Sequence, residues 1–261
     1  MIFMPFSNII TNKAYSTYEA KLRKEVLENP VPKHIAIIMD GNRRFAEERG
    51  EEKEEGHRLG SEKLEEVLNW CVEDGIKILT VYAFSLENFN REKTEVDYLM
   101  ELLEESLMRF ADSKTIHEHE VSIKILGDVS VLPENVKRAI DYACKKTEGY
   151  SNYKLNMAIA YGGRQEITTA VKEIASKVSS GELNLEDINE DMISKHMYTS
   201  DVPDPDLVLR TSGEIRISNF LLWQLAYSEL YFTDVYWPGF RHIDFLRAIR
   251  TFQQRGRRYG K

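Results

Sequence analysis

One short apolar run, residues 35–39, constrains the fold of this chain more than any other feature. It reads Ile-Ala-Ile-Ile-Met and offers no polar side chain to solvent, which is typical of a strand buried on both faces of a parallel sheet. The run stops at Asp40-Gly41-Asn42, after which a charged pattern with helical spacing begins. A buried strand that leads directly into a helix predicts an α/β fold.

Strands and helices alternate along the rest of the chain. Further strands are predicted at 78–85, 121–126, 154–160, 207–210 and near 230–236, and helices at 15–28, 61–74, 94–118, 133–147, 164–179, 189–197 and 243–258. This order predicts a single α/β domain with a mainly parallel central sheet wrapped by helices. The first helix carries Tyr18, Leu22 and Val26 on one side, so we expect it to pack on the domain or to contact a membrane or a partner.

The composition excludes several kinds of protein. A formal net charge of −8 argues against a nucleic-acid-binding protein, so an anionic ligand needs a local cationic pocket. Cys71 and Cys144 lack the spacing of a disulfide framework or a zinc site, which favours a reducing compartment. No apolar run approaches the ~18 residues that span a bilayer, and residues 1–30 lack the basic start of a signal peptide. We therefore expect a soluble, cytoplasmic protein.

Polar residues follow four of the predicted strands. Asp40 follows the first, and the segments 85–91, 161–164 and 210–219 follow others, each with arginine beside glycine, serine or asparagine. Because the carboxyl ends of parallel strands share one edge of a sheet, we expect these groups to line one pocket. Arginine binds phosphate oxygens bidentately, and a carboxylate suits Mg²⁺. The set predicts a phosphate or diphosphate site, although each segment alone also fits an ordinary turn.

Four stretches of the chain resemble, in the same order, the cis-prenyltransferases. They read HIAIIMDGNRRFA at 34–46, YAFSLENFNR at 82–91, RTSGEIRISNFLLWQLAYSELYF at 210–232 and WPGF at 237–240. This is the family of undecaprenyl and dehydrodolichyl diphosphate synthases, which extend an allylic prenyl diphosphate by successive cis additions of isopentenyl diphosphate, using Mg²⁺. The resemblance covers nearly all of residues 33–261, which would form the catalytic domain after an N-terminal amphipathic helical segment, 1–32.

The resemblance also implies the wider properties of such an enzyme. Members have a parallel sheet wrapped by helices with a hydrophobic tunnel for the product, and they act as homodimers. Their long-chain product, a precursor of a glycosyl carrier lipid, implies peripheral contact with a membrane when it is released. Neither the preferred primer nor the product length follows from the sequence, because both depend on single side chains in the tunnel.

Individual residues acquire roles from the resemblance. Asp40 matches the aspartate that positions Mg²⁺ on a diphosphate, and Glu229 matches the acidic residue that completes the metal site. Asn88 matches the asparagine usually considered to assist proton removal, but an amide is a weak base, and we favour a role in positioning diphosphate or water. The implied substrate-binding residues are Gly41, Asn42, Arg43, Arg44 and His57 for the allylic diphosphate, Ser85 and Arg91 around the reacting carbons, and Arg210, Arg216 and Ser218 for isopentenyl diphosphate. Phe45, Lys53, Leu86, Glu87, Phe89, Ile217 and Arg258 are also implied to bind substrate.

Some of these positions depart from the bacterial pattern. Phe45 and Phe89 stand where tryptophan is common, and Lys53 replaces an arginine, which keeps the charge but loses the bidentate geometry. Arg43 replaces a common glycine, as in archaeal and eukaryotic members. Arg258 belongs to a C-terminal R-x-G element, which in the family can reach the diphosphate site of a neighbouring subunit; a frayed basic tail is the alternative.

The sequence leaves the tunnel walls and two other functions open. The apolar faces of helices 61–74 and 94–118 and of strand 121–126 are candidate walls, although ordinary core packing also explains them. A phosphohydrolase would use Asp40 as a nucleophile, but the usual second aspartate two residues later is Asn42. A non-catalytic subunit that binds lipid diphosphates would keep the fold and lose the metal-binding and arginine residues, which this chain retains.

Overall fold

The computed structural model describes residues 6–255, with side chains from residue 15 onwards. Its strands are β1 (His34–Ile38), β2 (Ile78–Ser85), β3 (Val121–Leu126), β4 (Tyr153–Tyr161), β5 (Leu207–Arg210) and β6 (Glu229–Phe232). They form one sheet in the order β3-β4-β2-β1-β5-β6, and every neighbouring pair is parallel. The prediction of an α/β domain around a parallel sheet is therefore confirmed.

Helices alternate with these strands as the sequence predicts. They are α1 (Phe6–Leu27), α2 (Asn42–Glu48), α3 (Lys53–Glu73), α4 (Lys93–Asp112), α5 (Lys114–Glu118), α6 (Glu134–Thr147), α7 (Gly163–Ser180), α8 (Glu190–Lys195) and α9 (His242–Gln254). Short 3₁₀ helices occupy Leu86–Asn90, Val129–Val131, Leu185–Asp187, Gln224–Tyr227 and Trp237–Gly239. No helix in the described residues is long and apolar enough to cross a membrane.

Helix α1 begins at Phe6 and not at 15, and two further helix predictions differ from the structure. The predicted helix 94–118 is two helices, because Ser113 has an extended backbone and its side chain caps α5 by accepting the N–H of Ile116 at 3.3 Å. Helix α3 begins at Lys53 and not at residue 61. The additional N-terminal turns contain Gly56 and Gly60. These glycines allow close packing, since a Cβ on Gly60 would lie 2.7 Å from the Oδ1 of Asn42.

Strand β1 is buried on both faces, as its apolar sequence predicts. Ile35 and Ile37 belong to the larger hydrophobic cluster, which includes residues of α3, α4, α6 and α9. Ala36 and Ile38 face a smaller cluster that contains Tyr161 and Phe220. Alternating side chains of one strand thus pack against two separate apolar layers, and the sheet lies between them.

Helix α1 packs on the same domain. Leu22 and Val26 are buried in the larger cluster, and the Nε of Arg23 donates to Asp74 Oδ1 at 2.8 Å. Tyr18 remains partly exposed, with the guanidinium of Arg247 over its ring. Of the two expectations for this helix, the structure supports packing on the domain for its C-terminal half.

The register of the sheet fixes where the functional groups lie. Ile38 is level with Tyr82 of β2 and with Arg210 of β5. Asp40 follows the end of β1, and Ser85 is the last residue of β2. Both therefore lie with Arg210 at the carboxyl edge of the sheet. The predicted common edge is confirmed.

Candidate active site

Two adjoining cavities of about 570 and 520 Å³ open at this carboxyl edge. The larger is lined by residues at the ends of β1, β2 and β5, in the segments that follow them, and in α3 and α4. The predicted site residues that line one or both cavities are Asp40, Gly41, Asn42, Arg43, Arg44, His57, Ser85, Glu87, Asn88, Arg91, Arg210, Arg216 and Ser218. The structure thus brings together most of the residues that the sequence assigned to diphosphate binding.

Asp40 lies between arginines from two different elements. Its Oδ2 accepts from Arg210 Nη2 at 2.7 Å, and its Oδ1 lies 3.4 Å from Arg44 Nη2. Burial by itself would raise the pKa of the Asp40 carboxyl, but the hydrogen bond and charge of Arg210, helped by Ser212 and Arg44, outweigh it and lower the pKa. The carboxylate is therefore ionised at neutral pH and available to a cation.

The backbone of Asp40 is held as firmly as its side chain. Its N–H donates to Thr211 Oγ1 at 2.9 Å, and its carbonyl accepts from the Thr211 hydroxyl at 2.6 Å and from the Trp237 N–H at 3.0 Å. Gly41 follows with a φ of +103°, and a Cβ there would lie 2.6 Å from the Tyr236 ring. Only glycine fits this turn without moving the ring.

Two arginines and a histidine surround a buried carboxylate, Glu95, at the start of α4. Its Oε1 accepts from Arg91 Nη1 at 2.7 Å and lies 3.4 Å from His57 Nε2, while its Oε2 lies 3.7 Å from Arg43 Nη1. Burial, followed by the charge of Arg91, lowers the pKa of His57, so the imidazole is neutral at pH 7. The sequence analysis missed Glu95, and its only signal was an acidic residue four positions after Arg91 on a predicted helix.

Asn88 is oriented by the end of β2. Its Oδ1 accepts the backbone N–H of Ser85 at 2.9 Å. Because the amide oxygen is occupied in this way, the NH₂ group is the part of Asn88 that remains to contact a ligand. This orientation favours donation to a bound oxygen over acceptance of a proton.

The segment after β5 is held in an unusual backbone conformation. Ser212, Ser218 and Asn219 have positive φ angles of 76°, 46° and 62°, which non-glycine residues adopt only at a cost. Ser218 Oγ accepts from Arg210 Nη1 at 2.8 Å, and the same nitrogen donates to the carbonyl of Arg216. The strained backbone thus places a hydroxyl and a buried guanidinium side by side.

Asn219 connects three strand ends, a role that the sequence analysis did not assign. Its carbonyl accepts the Gly163 N–H at 2.7 Å and its Oδ1 accepts the Arg164 N–H at 2.9 Å, which ties it to the turn after β4. Its Nδ2 donates to Glu87 Oε1 at 3.0 Å, beyond β2. The sequence showed only an asparagine directly after a site serine, a residue type that tolerates the left-handed conformation.

Several buried polar atoms around the cavities lack a hydrogen-bond partner. They are Asn42 Oδ1, His57 Nε2 and Arg210 Nε. Arg210 is only 4% exposed. Its Nε without a hydrogen-bond partner therefore lowers the stability of the folded protein unless a bound ligand accepts the bond. Unsatisfied groups of this kind at one pocket are typical of a site that binds a polar ligand.

An apolar pocket of about 80 Å³ adjoins the larger cavity. Its walls come mainly from α3, α4, β2 and β4. The apolar lining residues are Met39, Leu64, Ala83, Phe84, Leu99, Leu102, Leu103, Phe110, Met157 and Trp237, and Asn42, His57, Gly60, Ser61, Tyr82 and Ser106 complete the lining. The predicted contributions of helices 61–74 and 94–118 agree with this lining. Strand 121–126 does not line it, because β3 is an edge strand two positions away from β2 in the sheet.

Five predicted substrate-binding residues lie outside these cavities. Lys53 is 3.9 Å from Glu92 at the surface, Phe45 lies beside Gly239 and under Arg49, and Phe89 packs edge-on against Phe84. The other two are Leu86 and Ile217. Arg258 lies outside the described residues, so its predicted role stays a prediction.

The metal role predicted for Glu229 does not fit the fold of a single chain. Glu229 begins β6 and is level with Leu207, which is level with Ile35. At about 3.3 Å per strand residue, Asp40 therefore lies roughly 15 Å further along the sheet. Glu229 Oε2 instead lies 3.4 Å from Arg255 Nη1. The metal role of Glu229, which comes from its match to the family motif, stays a prediction.

The donor set at Asp40 fits a magnesium ion only together with a ligand. No group of three or more histidine, cysteine, aspartate or glutamate side chains in the described residues could hold a metal ion. Mg²⁺, however, commonly binds through one or two carboxylates, with substrate phosphates and water completing its shell. Asp40, ionised and beside two arginines that attract phosphate, meets that requirement.

The sequence matches the family model described as putative undecaprenyl diphosphate synthase over residues 38–260. It is 54% identical over 246 residues to the tritrans,polycis-undecaprenyl-diphosphate synthase (geranylgeranyl-diphosphate specific) of Methanocaldococcus jannaschii, covering 94% of this chain and 88% of that protein. The protein of the same name from Pyrococcus furiosus is 53% identical over 254 residues, which are 97% of this chain and 96% of the relative.

Solved structures show the same similarity. Lavandulyl diphosphate synthase from Lavandula x intermedia, in complex with dimethylallyl diphosphate, superposes with a TM-score of 0.84 at 38% identity, covering 88% of this chain and 99% of that one. A probable undecaprenyl diphosphate synthase from Campylobacter jejuni gives a TM-score of 0.72 at 33% identity, covering 89% of this chain and all of that one.

Proposed function

The chain belongs to the undecaprenyl diphosphate synthase family of prenyltransferases, and we propose that it adds isopentenyl diphosphate units in the cis configuration to an allylic prenyl diphosphate. The observation that carries this proposal is the position of Asp40 between arginines from α2 and β5, in a cavity that adjoins an apolar pocket. The product would be a long-chain polyprenyl diphosphate that serves as the precursor of a glycosyl carrier lipid.

Two diphosphates must bind close together despite their like charges, and the cavity offers two sets of cations. Arg44 with the group around Glu95 would bind the allylic diphosphate. Arg210 and Arg216, with the Ser218 hydroxyl, would bind isopentenyl diphosphate. Separate arginine groups on either side of one carboxylate are what such an arrangement requires.

The reaction forms a carbon–carbon bond and releases pyrophosphate and a proton. As the allylic carbon–oxygen bond breaks, negative charge develops on the leaving diphosphate, so cations placed there stabilise the transition state more than the ground state. Asp40 would hold Mg²⁺ against the bound diphosphate, and the ion would supply further positive charge to the leaving group. Asn88, whose oxygen is already used, would orient an oxygen of the substrate or a water molecule through its NH₂ group.

The printed names of the archaeal relatives suggest the primer. Both are described as specific for geranylgeranyl diphosphate, and we propose the same primer for this chain. The apolar pocket of about 80 Å³ is smaller than the ~300 Å³ at the lower end of ordinary ligand pockets. Helices α3 and α4, which form much of its wall, would therefore have to separate to admit a growing tail.

Assembly and location are part of the same proposal. We expect a homodimer in the cytoplasm, with peripheral contact to a membrane when the apolar product leaves. Light scattering of the purified protein tests the dimer, since a mass near the 30.4 kDa of one chain would contradict it. Sedimentation with lipid vesicles, with and without product, tests the membrane contact.

One incubation separates this function from the two alternatives. Purified protein is mixed with radiolabelled isopentenyl diphosphate, geranylgeranyl diphosphate and Mg²⁺, and the extracted lipids and released phosphate are measured. A prenyltransferase incorporates label into long products and releases pyrophosphate. A phosphohydrolase releases phosphate without incorporation, and a lipid-diphosphate-binding subunit does neither, so either of those results would reject the proposal.

A further inference from the structure

Glu95 lies beside two arginines and a neutral histidine from three different parts of the chain. Arg43 belongs to α2, His57 to α3, and Arg91 precedes α4, yet all three approach the one carboxylate within 3.7 Å. Glu95 itself is only 5% exposed. All three side chains line the larger cavity, whereas Glu95 does not.

Stability alone does not explain this arrangement. Burying a carboxylate carries a desolvation penalty that ion pairing often only offsets, so apolar residues of similar volume frequently serve a fold as well or better. Here burial would raise the pKa of Glu95, but Arg91 and Arg43 outweigh it and lower the pKa. The carboxylate is therefore ionised at neutral pH and acts as a fixed counter-charge behind the wall of the cavity.

We propose that Glu95 is a positioning residue of the allylic diphosphate subsite, which holds Arg43 and Arg91 beside His57, with the remaining N–H groups of both arginines directed at the bound diphosphate. The inference rests on the proposed function. Arg91 uses one Nη1 bond on Glu95, which leaves the other donors of its guanidinium for a ligand. His57 Nε2 is buried without a hydrogen-bond partner, so it too has capacity for a diphosphate oxygen.

Loss of the charge would disorder this wall. Arg43 and Arg91 carry like charges, and burial together with the Arg43 charge opposes the charged form of Arg91, while Glu95 favours it. Without the counter-charge, the half-buried Arg91 gains by turning towards water. A hydrogen bond to a charged group contributes roughly 1.5–3 kcal/mol, so the affinity for the allylic diphosphate should fall about ten- to a hundredfold.

The test is Glu95→Gln, which keeps the shape of the side chain and an oxygen for Arg91 but removes the charge. The apparent KM for geranylgeranyl diphosphate should rise at least about tenfold, with the KM for isopentenyl diphosphate within about twofold. Glu95→Asp keeps the charge and should recover part of the loss. The matched control is Asp97→Asn, because Asp97 lies two residues further along α4 and pairs with Lys93 at the surface; both KM values should stay unchanged there.

Two results would overturn the inference. An equal rise in both KM values would indicate a general structural defect, and a fall in the allylic KM would show that added positive charge outweighs lost orientation. Calorimetry with inorganic pyrophosphate provides a readout without turnover, and Glu95→Gln should bind it more weakly than the wild type. If the wild type binds pyrophosphate in this Glu95-dependent way yet incorporates no isopentenyl diphosphate, the proposed function fails while the role of Glu95 stands.

Discussion

Asp40 and Arg210 join the ends of two adjacent strands through an ion pair of 2.7 Å between Oδ2 and Nη2. Arg210 is almost fully buried, and its other terminal nitrogen, Nη1, is held by Ser218 and the carbonyl of Arg216. Arg44 approaches the second oxygen of the same carboxylate. One carboxylate therefore organises arginines of both proposed diphosphate sites, which predicts that changes on either side of it have separable effects.

The two sides should separate kinetically. Arg216→Ala should raise mainly the KM for isopentenyl diphosphate, because Arg216 belongs to the segment after β5, on the proposed isopentenyl diphosphate side of Asp40. Its side chain is 60% exposed. Arg44→Ala should raise mainly the allylic KM. Each loss of one guanidinium should cost roughly 1.5–3 kcal/mol of binding, measured by steady-state kinetics with each substrate varied. Arg58→Ala is the control, since Arg58 pairs with Glu55 and Glu62 on the surface of α3. Equal effects of both variants on both substrates would reject the division of the cavity.

Asn219 should contribute to stability and to the site together. Asn219→Ala removes the side-chain bonds to the Arg164 N–H and to Glu87, at about 1 kcal/mol each, and leaves alanine at a φ of 62°, which costs about 1–2 kcal/mol. The free energy of unfolding in urea should therefore fall by about 3–4 kcal/mol. The exposed Asn152 provides the control as Asn152→Ala, which should change it by less than ~0.5 kcal/mol. If Asn219→Ala lowered the free energy of unfolding by less than ~0.5 kcal/mol, the side-chain bonds of Asn219 would not be needed for stability.

His34, the first residue of β1, predicts an acid-sensitive fold. Its Nδ1 donates to the Pro203 carbonyl and its Nε2 accepts from the Thr80 hydroxyl, both at 2.7 Å. Burial lowers the pKa of His34 to about 4, from its usual value near 6.5, against smaller opposing effects of Pro203 and Asp206. Between these two values the unfolded chain binds more protons than the folded chain, so stability falls as the pH decreases from 6.5 towards 4.

The size of the effect can be measured directly. The shift corresponds to at most about 3 kcal/mol lost by pH 4, with no contribution from this group at pH 7. Urea unfolding at pH 7 and pH 5 should show the loss in the wild type and a smaller loss in His34→Gln. The exposed His119 supplies the control, because His119→Gln should keep the full pH dependence. An unchanged pH dependence in His34→Gln would contradict the assignment.

Local patterns of the sequence predicted the parts of the structure that depend on local forces. The apolar run of β1 and the polar residues after it placed Asp40 at the correct edge of the sheet, because burial and parallel connectivity determine both. The break at Ser113 was missed because the apolar spacing continues across it, and the break depends on a cap that the periodicity does not show.

Contacts between distant elements were not predictable in the same way. Glu95 meets Arg43 and His57 only because α2, α3 and α4 converge at one edge of the sheet. Glu229 matches an acidic residue of the family motif, and only the register of β5 and β6 shows that it lies towards the other end of the sheet from Asp40 within one chain. Strand register and helix packing determine which distant residues come into contact, and neither can be predicted from the local pattern of the sequence.

Turnover by Asp40→Asn, measured beside the wild type, tests the central claim most directly. This variant keeps the size of the side chain and removes the charge that joins both arginine groups and would hold Mg²⁺. Incorporation of radiolabelled isopentenyl diphosphate should fall by at least about two to three orders of magnitude, while circular dichroism shows an unchanged fold and Asp97→Asn retains full activity. Incorporation within a few-fold of the wild type by a folded Asp40→Asn protein would contradict the account.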